Sequence, residues 1–123
     1  MHNYGIIHRD LKLENIMMTD SSDKAVPKIV DFGLSKILGP SEKATEPFGT
    51  LSYCAPEVLK QEPYRYSCDV WSIGCIIYAL ISGSLPWDHD DQKEVIRMTL
   101  HDPLIFDLPV WERVNKQSKE LIK

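Results

Sequence analysis

The sequence predicts an α+β domain, mainly helical with short β-hairpins, and three features carry that expectation. Ile16-Met17-Met18 and Lys28-Ile29-Val30 are short apolar runs separated by the polar stretch TDSSDKAVP, a spacing that suits two paired strands with a long connecting loop. DVWSIGCIIYALISG, opened by Asp69 and stopped by Gly83 and Pro86, is apolar nearly all round and predicts a central helix over about residues 69–82, buried on most sides. Asp91 can cap a further helix carrying Val95, Ile96 and Met98, with Glu94 three residues on reaching back as in a capping box. QSKELIK then begins a last helix at about residues 118–123. Between the strands and the central helix, residues 31–57 contain three Gly and three Pro among many Ser and Thr and predict a long irregular loop.

Composition bounds the function. With 123 residues, 43% hydrophobic and 26% charged, the chain has the makeup of one soluble globular domain. Formal net charge is −4, from 14 basic and 18 acidic residues, and no Lys/Arg run suggests a nucleic-acid or membrane patch. The most apolar segment, Val70 to Ile81, falls well short of the roughly 20 residues that span a bilayer. Cys54, Cys68 and Cys75 form no C-x-x-C and cannot all pair, which favours reduced thiols. Met1 is followed by no basic stretch and apolar core. An intracellular, cytoplasmic protein is therefore expected.

GIIHRDLKLENIMM, residues 5–18, crowds two cations, two acids, a histidine and an amide between apolar flanks. The extended flanks Gly5-Ile6-Ile7 and Ile16-Met17-Met18 leave an irregular polar loop between them. HRDLKLEN at 8–15, DFG at 31–33 and APE at 55–57 stand in this order, and together they resemble the catalytic-loop, metal-binding and activation-segment motifs of eukaryotic protein kinases. GTLSYCAPE and DVWSIGCIIYALISGSLPW extend the resemblance along nearly the whole chain.

The resemblance implies a protein-kinase-like α+β fold and a phosphoryl transfer that works by positioning and electrostatics. It implies that Asp10 orients a substrate hydroxyl and accepts its proton. Lys12 would reach the transferring phosphate of ATP, and Asn15 and Asp31 would supply oxygen ligands to Mg²⁺. Met17 would line the floor beneath the adenine, while His8 and Phe32 would be internal packing groups. Lys12 and Thr50 resemble the serine/threonine type, with Thr50 bonded near Asp10 and Lys12. Glu14 would face a basic residue upstream of the target hydroxyl, or the nucleotide ribose, so protein substrates with Ser or Thr near basic residues are the implied partners. Leu13 stands where the family usually has Pro, and no polar atom is lost by that departure.

DFGLSK and the turn Gly83–Trp87 resemble the calcium/calmodulin-dependent group, although no Ca²⁺-binding loop signature is present, so calcium regulation would come only through regions outside this chain. Asp88-His89-Asp90-Asp91 needs only a solvated turn before a helix, since consecutive residues cannot all face one ion. Kinases with an Arg before the catalytic Asp commonly use it, with a Lys five residues after the DFG Asp, to clamp a phosphothreonine three residues before the GT glycine. Those positions are Arg9, Lys36 and Glu46. Glu46 would supply a permanent charge, with Thr45 the competing phosphosite. The 123 residues hold no Gly-x-Gly and no Val-Ala-Ile-Lys strand, so the resemblance covers the large lobe alone, with the small lobe absent, Glu57 lacking the arginine it pairs with in kinases, and no activity expected of these residues by themselves. A noncatalytic kinase-derived binding module is the alternative to the enzyme.

Overall fold

Four very short strands do the topological work of bringing two distant loops together. The computed structural model describes residues 1–123. Strand β1 (Ile6–Ile7) leads into the polar loop and β2 (Ile16–Met18) leads out of it; β3 (Pro27–Ile29) leads into the segment holding DFG and β4 (Lys36–Ile37) leads out. β1 pairs antiparallel with β4, and β2 with β3, so both ends of one loop are tied to both ends of the other. Leu38 N donates to Gly5 O (2.8 Å) and Val30 N to Asn15 O (3.0 Å), carrying each ladder one step further. The hairpin predicted at Ile16–Met18 and Lys28–Val30 forms one residue earlier on its second strand. β4 was not anticipated: two residues beside a Gly/Pro-rich stretch are too few to show an alternation.

After DFG the chain is irregular up to a 3₁₀ turn at Leu51–Tyr53 and helix α1 (Pro56–Leu59), whose first position is the Pro of APE. Proline suits that position because its missing N–H has no helical partner there anyway. Three longer helices follow: α2 (Ser67–Ser82), α3 (Gln92–His101) and α4 (Lys116–Ile122). α2 is the core's post. Its Cys68 joins the cluster of Ile7, Leu38, Ala44, Ala55, Val58 and Tyr64 beneath the two loops. Cys75 and Ile76 join Leu11, Tyr53 and Trp87, and Tyr78 joins Trp111 and Ile122.

Three expectations about the helices are corrected. α2 begins at Ser67, two residues before Asp69; most of its circumference is covered, but Val70, Ile73 and Leu80 form a helical stripe facing outward. α3 is capped by Asp91, whose carboxylate accepts from Lys93 N (2.9 Å), but Glu94 does not reach back. The Asp91 N–H already donates to His89 Nδ1 (2.9 Å), and Glu94 pairs with Arg97 Nε at 2.8 Å. α4 begins at Lys116 because Asn115 Oδ1 takes up Ser118 N (2.8 Å), which defines the helix start ahead of QSKELIK.

Gly83 ends α2 with φ 80°, its N–H donating to Ala79 O at 2.8 Å. No atom lies within 4 Å of where a Cβ would stand. The cost of a side chain there is therefore conformational alone, about 1–2 kcal/mol for an L-residue held left-handed. Gly83→Ala should lower the urea unfolding midpoint accordingly and Gly83→Asn by less, since Asn tolerates this region; equal midpoints for all three proteins would contradict the assignment.

Candidate active site

The polar loop is held from below by a residue of the central helix. Asp69 is 1% exposed, and its two carboxylate oxygens accept from His8 N and Arg9 N, each at 2.9 Å. His2 Nε2 makes a third contact with Asp69, at 2.7 Å. A carboxylate taken out of water needs partners of this kind. They fix a backbone that would otherwise relax, because Arg9 has φ 71°, a left-handed conformation costing a non-glycine residue of order 1–3 kcal/mol. Asp31 has φ 60° on the facing loop. Strain of this sort concentrates where geometry is imposed from outside. Sequence reasoning took Asp69 for a helix opener. The signal that could have found it is an acid inside an apolar helix, which can be buried only if donors converge on it.

The strained turn delivers Asp10 to the surface of the loop. Its Oδ1 accepts from Thr50 N (2.9 Å) and Thr50 Oγ1 (2.6 Å), and its Oδ2 lies 3.1 Å from Lys12 Nζ. Lys12 also donates to Thr50 Oγ1 at 2.9 Å, so Asp10, Lys12 and Thr50 form a closed triangle across forty residues of chain. Partial burial pushes the Asp10 pKa up, but the Thr50 hydroxyl and then the Lys12 ammonium outweigh it and hold the carboxyl below its usual range. It is ionised at neutral pH. The approach of residue 50 to the loop depends on Gly49, at φ 126°, where a Cβ would stand 2.7 Å from Arg9 O.

Asn15 Nδ2 donates to Asp10 O (2.9 Å), which leaves its amide oxygen available as an acceptor. Through the Val30–Asn15 backbone bond, the loop bearing Asp31 starts beside Asn15. Asp31 is exposed, with Oδ1 accepting from Gly33 N at 3.2 Å. One carboxylate and one amide oxygen fit a Mg²⁺ ion that draws its other ligands from phosphates and water, and fit an all-protein cage poorly; no group of three or more His, Cys, Asp or Glu side chains comes together. Glu14 is exposed on the turn Leu13–Asn15, and Met17 is 56% exposed on β2. His8 is fully buried, its Nε2 meeting Val30 O at 3.1 Å. Phe32 departs from expectation: it stands edge-on to His8 (5.0 Å between centroids), yet half of it is open, since it joins none of the three hydrophobic clusters.

Arg9, Lys36 and Glu46 come together. Arg9 Nη1 lies 3.2 Å and Lys36 Nζ 3.3 Å from the two Glu46 carboxylate oxygens, and Arg9 Nε donates to Leu34 O at 2.6 Å. Thr45 is exposed and its N–H donates to Glu46 Oε2 (3.1 Å). Tyr64, which sequence reasoning passed over, secures the same stretch: Ala44 and Tyr64 exchange two backbone bonds of 2.9 Å, and Tyr64 Oη donates to Glu46 O at 2.6 Å. Glu57 accepts from Ser67 Oγ at 2.9 Å. The three thiols are free, and burial pushes Cys54 up to about 11 and Cys68 and Cys75 up to about 12, so none is a nucleophile at neutral pH.

The protein kinase domain profile matches residues 1–123. The chain belongs to the protein kinase domain family. A Dictyostelium discoideum protein described as a probable serine/threonine-protein kinase, fhkD, is 40% identical over 137 aligned residues, which take in 100% of this chain and 18% of that protein. The chain thus spans less than a fifth of the length of this kinase relative. No helix of the kinase-family chain is long and apolar enough to cross a membrane.

Glu46 is held well below the ordinary glutamate range, to about 2, by its own backbone N–H and that of Thr45, with Lys36 adding to them. A depressed carboxylate contributes above its unfolded pKa of 4.5 and loses its contribution as pH falls toward the folded value. The side-chain carboxyl ¹³C resonance of Glu46 should therefore titrate near pH 2, leaving the loop anchored at pH 4. A midpoint near 4.5 would show that these bonds do not persist in solution.

Proposed function

We propose that these residues form the large, mainly helical lobe of a serine/threonine protein kinase that transfers the γ-phosphate of ATP to Ser or Thr hydroxyls of proteins. The observation that carries the reading is the triangle of Asp10, Lys12 and Thr50, an ionised carboxylate and an ammonium locked in one geometry at the mouth of two tied loops. Asp10 is the acceptor for the hydroxyl proton, and its Oδ2 is the oxygen nearer the cation. Lys12 neutralises charge on the moving phosphate. Asn15 and Asp31 hold Mg²⁺, which when bound neutralises the phosphate oxygens. Thr50 bonds both members of the Asp10–Lys12 ion pair and so fixes the pair's orientation. Met17, exposed on β2, would line the floor beneath the adenine. Exposed Glu14 favours substrates with a basic residue near the target hydroxyl.

Membership of the calcium/calmodulin-dependent group, suggested by DFGLSK and the Gly83–Trp87 turn, belongs to the same proposal. So does the role of Glu46, a standing anion that occupies the Arg9/Lys36 pocket and orders the segment without phosphorylation, in preference to Thr45. The residues that hold nucleotide from the other side, a glycine-rich cover and its phosphate-pairing lysine, are not among the 123. Activity is accordingly a property of the full-length protein.

In that protein, Asp10→Asn and Asp31→Asn should each lower turnover roughly a hundredfold or more, by comparison with single catalytic groups elsewhere. The two should separate in kinetics. Asp10→Asn lowers kcat with little change in KM for ATP, while Asp31→Asn, which removes a metal ligand, raises that KM and its dependence on Mg²⁺. Peptide phosphorylation near wild-type rate in Asp10→Asn would refute the proton-acceptor role. Absence of phosphate incorporation in the wild-type protein would favour the binding-module reading.

A further inference from the structure

One contact at Arg9 has no part in the proton, metal or phosphate chemistry above. The guanidinium carbon lies 4.8 Å from the centroid of the Phe48 ring, while the in-plane donors go to Leu34 O and Glu46. The Arg9 side chain is only 6% exposed although it sits between two loops; Phe48 is 41% exposed and belongs to none of the three hydrophobic clusters. Phe48 also lines an apolar hollow with Tyr64, Cys54 and Val58, but such burial does not require a ring set over a guanidinium. The open face of the guanidinium does.

The backbone shows how the grip is built. Phe48 N donates to Glu46 O at 2.9 Å, closing a tight turn through Pro47, and Tyr64 Oη donates to the same carbonyl. The turn therefore offers Glu46 to the edge of the guanidinium and Phe48 to its face. A guanidinium is planar, weakly hydrated and attracted to the face of an aromatic ring, and an Arg–carboxylate pair left open to water is weak and screened by salt. We propose that Phe48 is a positioning residue that covers the face of Arg9, shields the guanidinium end of the Arg9–Glu46 pair, and sets the plane in which Arg9 meets Leu34 O and Glu46. This rests on the reading of Glu46 as the standing anchor of the activation segment.

The test uses the unphosphorylated full-length protein with two readouts: the rate of tryptic cleavage after Lys43, and the ¹⁵N-edited resonance of Arg9 Nε–H. Lys43 is exposed, but cleavage there needs local opening, because Ala44 is buried and bridged to Tyr64. When opening is fast the cleavage rate follows the open population. Phe48→Leu, which keeps apolar bulk and removes the ring, should raise cleavage about two- to thirtyfold, the range of a cation–π contact from exposed to desolvated. It should also move the Arg9 Nε–H signal to a solvent-like position with rapid exchange, while Phe48→Tyr retains both native values. Fluorinated phenylalanines at position 48 keep the shape and drain the ring face of negative potential, so cleavage should rise stepwise with fluorine content; they decide the matter if Phe48→Leu fails to fold. Native behaviour of Phe48→Leu, equal damage from Leu and Tyr, or indifference to fluorination would overturn the proposal. Glu46→Gln separates the underlying reading. If it leaves the phosphotransfer rate unchanged while the Phe48 variants behave as stated, the standing-anchor role of Glu46 falls and the grip of Phe48 on Arg9 stands.

Discussion

Asp69, closed off from water in the early part of α2, holds the backbone N–H groups of His8 and Arg9 on its two oxygens and is met by His2. Everything on the surface of the polar loop depends on that arrangement. Arg9 keeps a left-handed backbone only because both adjoining N–H groups are claimed from beneath, and this turn throws Arg9 and Asp10 toward residues 46–50. Removing the carboxylate would strand two buried donors and free the strain together. Breaking a buried charged arrangement by deleting one member typically costs about 3–5 kcal/mol, a large fraction of a small domain's stability.

A second constraint is topological. Two ribbons of two and three residues tie the loops 8–15 and 30–35 at both ends, so the two loops are held side by side without either needing regular structure of its own. Isolated ribbons this short would be marginal in water. The β1–β4 ribbon is anchored by Ile7 and the adjoining Leu38, buried in the cluster that also takes Cys68 of α2, and the β2–β3 ribbon by Ile16, which packs against the cluster of Leu11 and Ile76. Core, strand pairing and site geometry are thus one cooperative arrangement, and the exposed loop residues inherit their order from it.

Much of this could be read in the sequence, unevenly. HRDLKLEN, DFG and APE located the candidate residues, and the meeting of Arg9, Lys36 and Glu46 was implied by the kinase resemblance carried over position by position. Local signals also placed the Gly83 stop and the Asp91 cap, since each depends on one residue and its immediate neighbours. What escaped depends on contacts distant in sequence. β4 is two residues with no period, and the partner that makes it a strand is about thirty residues away. Glu94 was free on paper to reach back to Asp91, until His89 proved to hold that N–H. Asp69 read as a helix start because its true partners lie some sixty residues earlier. The outward stripe on α2 was hidden by its own apolarity, because a helix apolar all round gives no sign of which face is covered.

Native-state hydrogen exchange of the His8 and Arg9 amides tests this account most directly. If Asp69 is the clamp on which the loop depends, both protons should exchange only through the opening that releases the core around α2, with the same free energy as the slowest amides of that helix. Exchange of either amide on the fast timescale of surface loops, with α2 still protected, would contradict the account, because the loop would then keep its shape without the carboxylate beneath it.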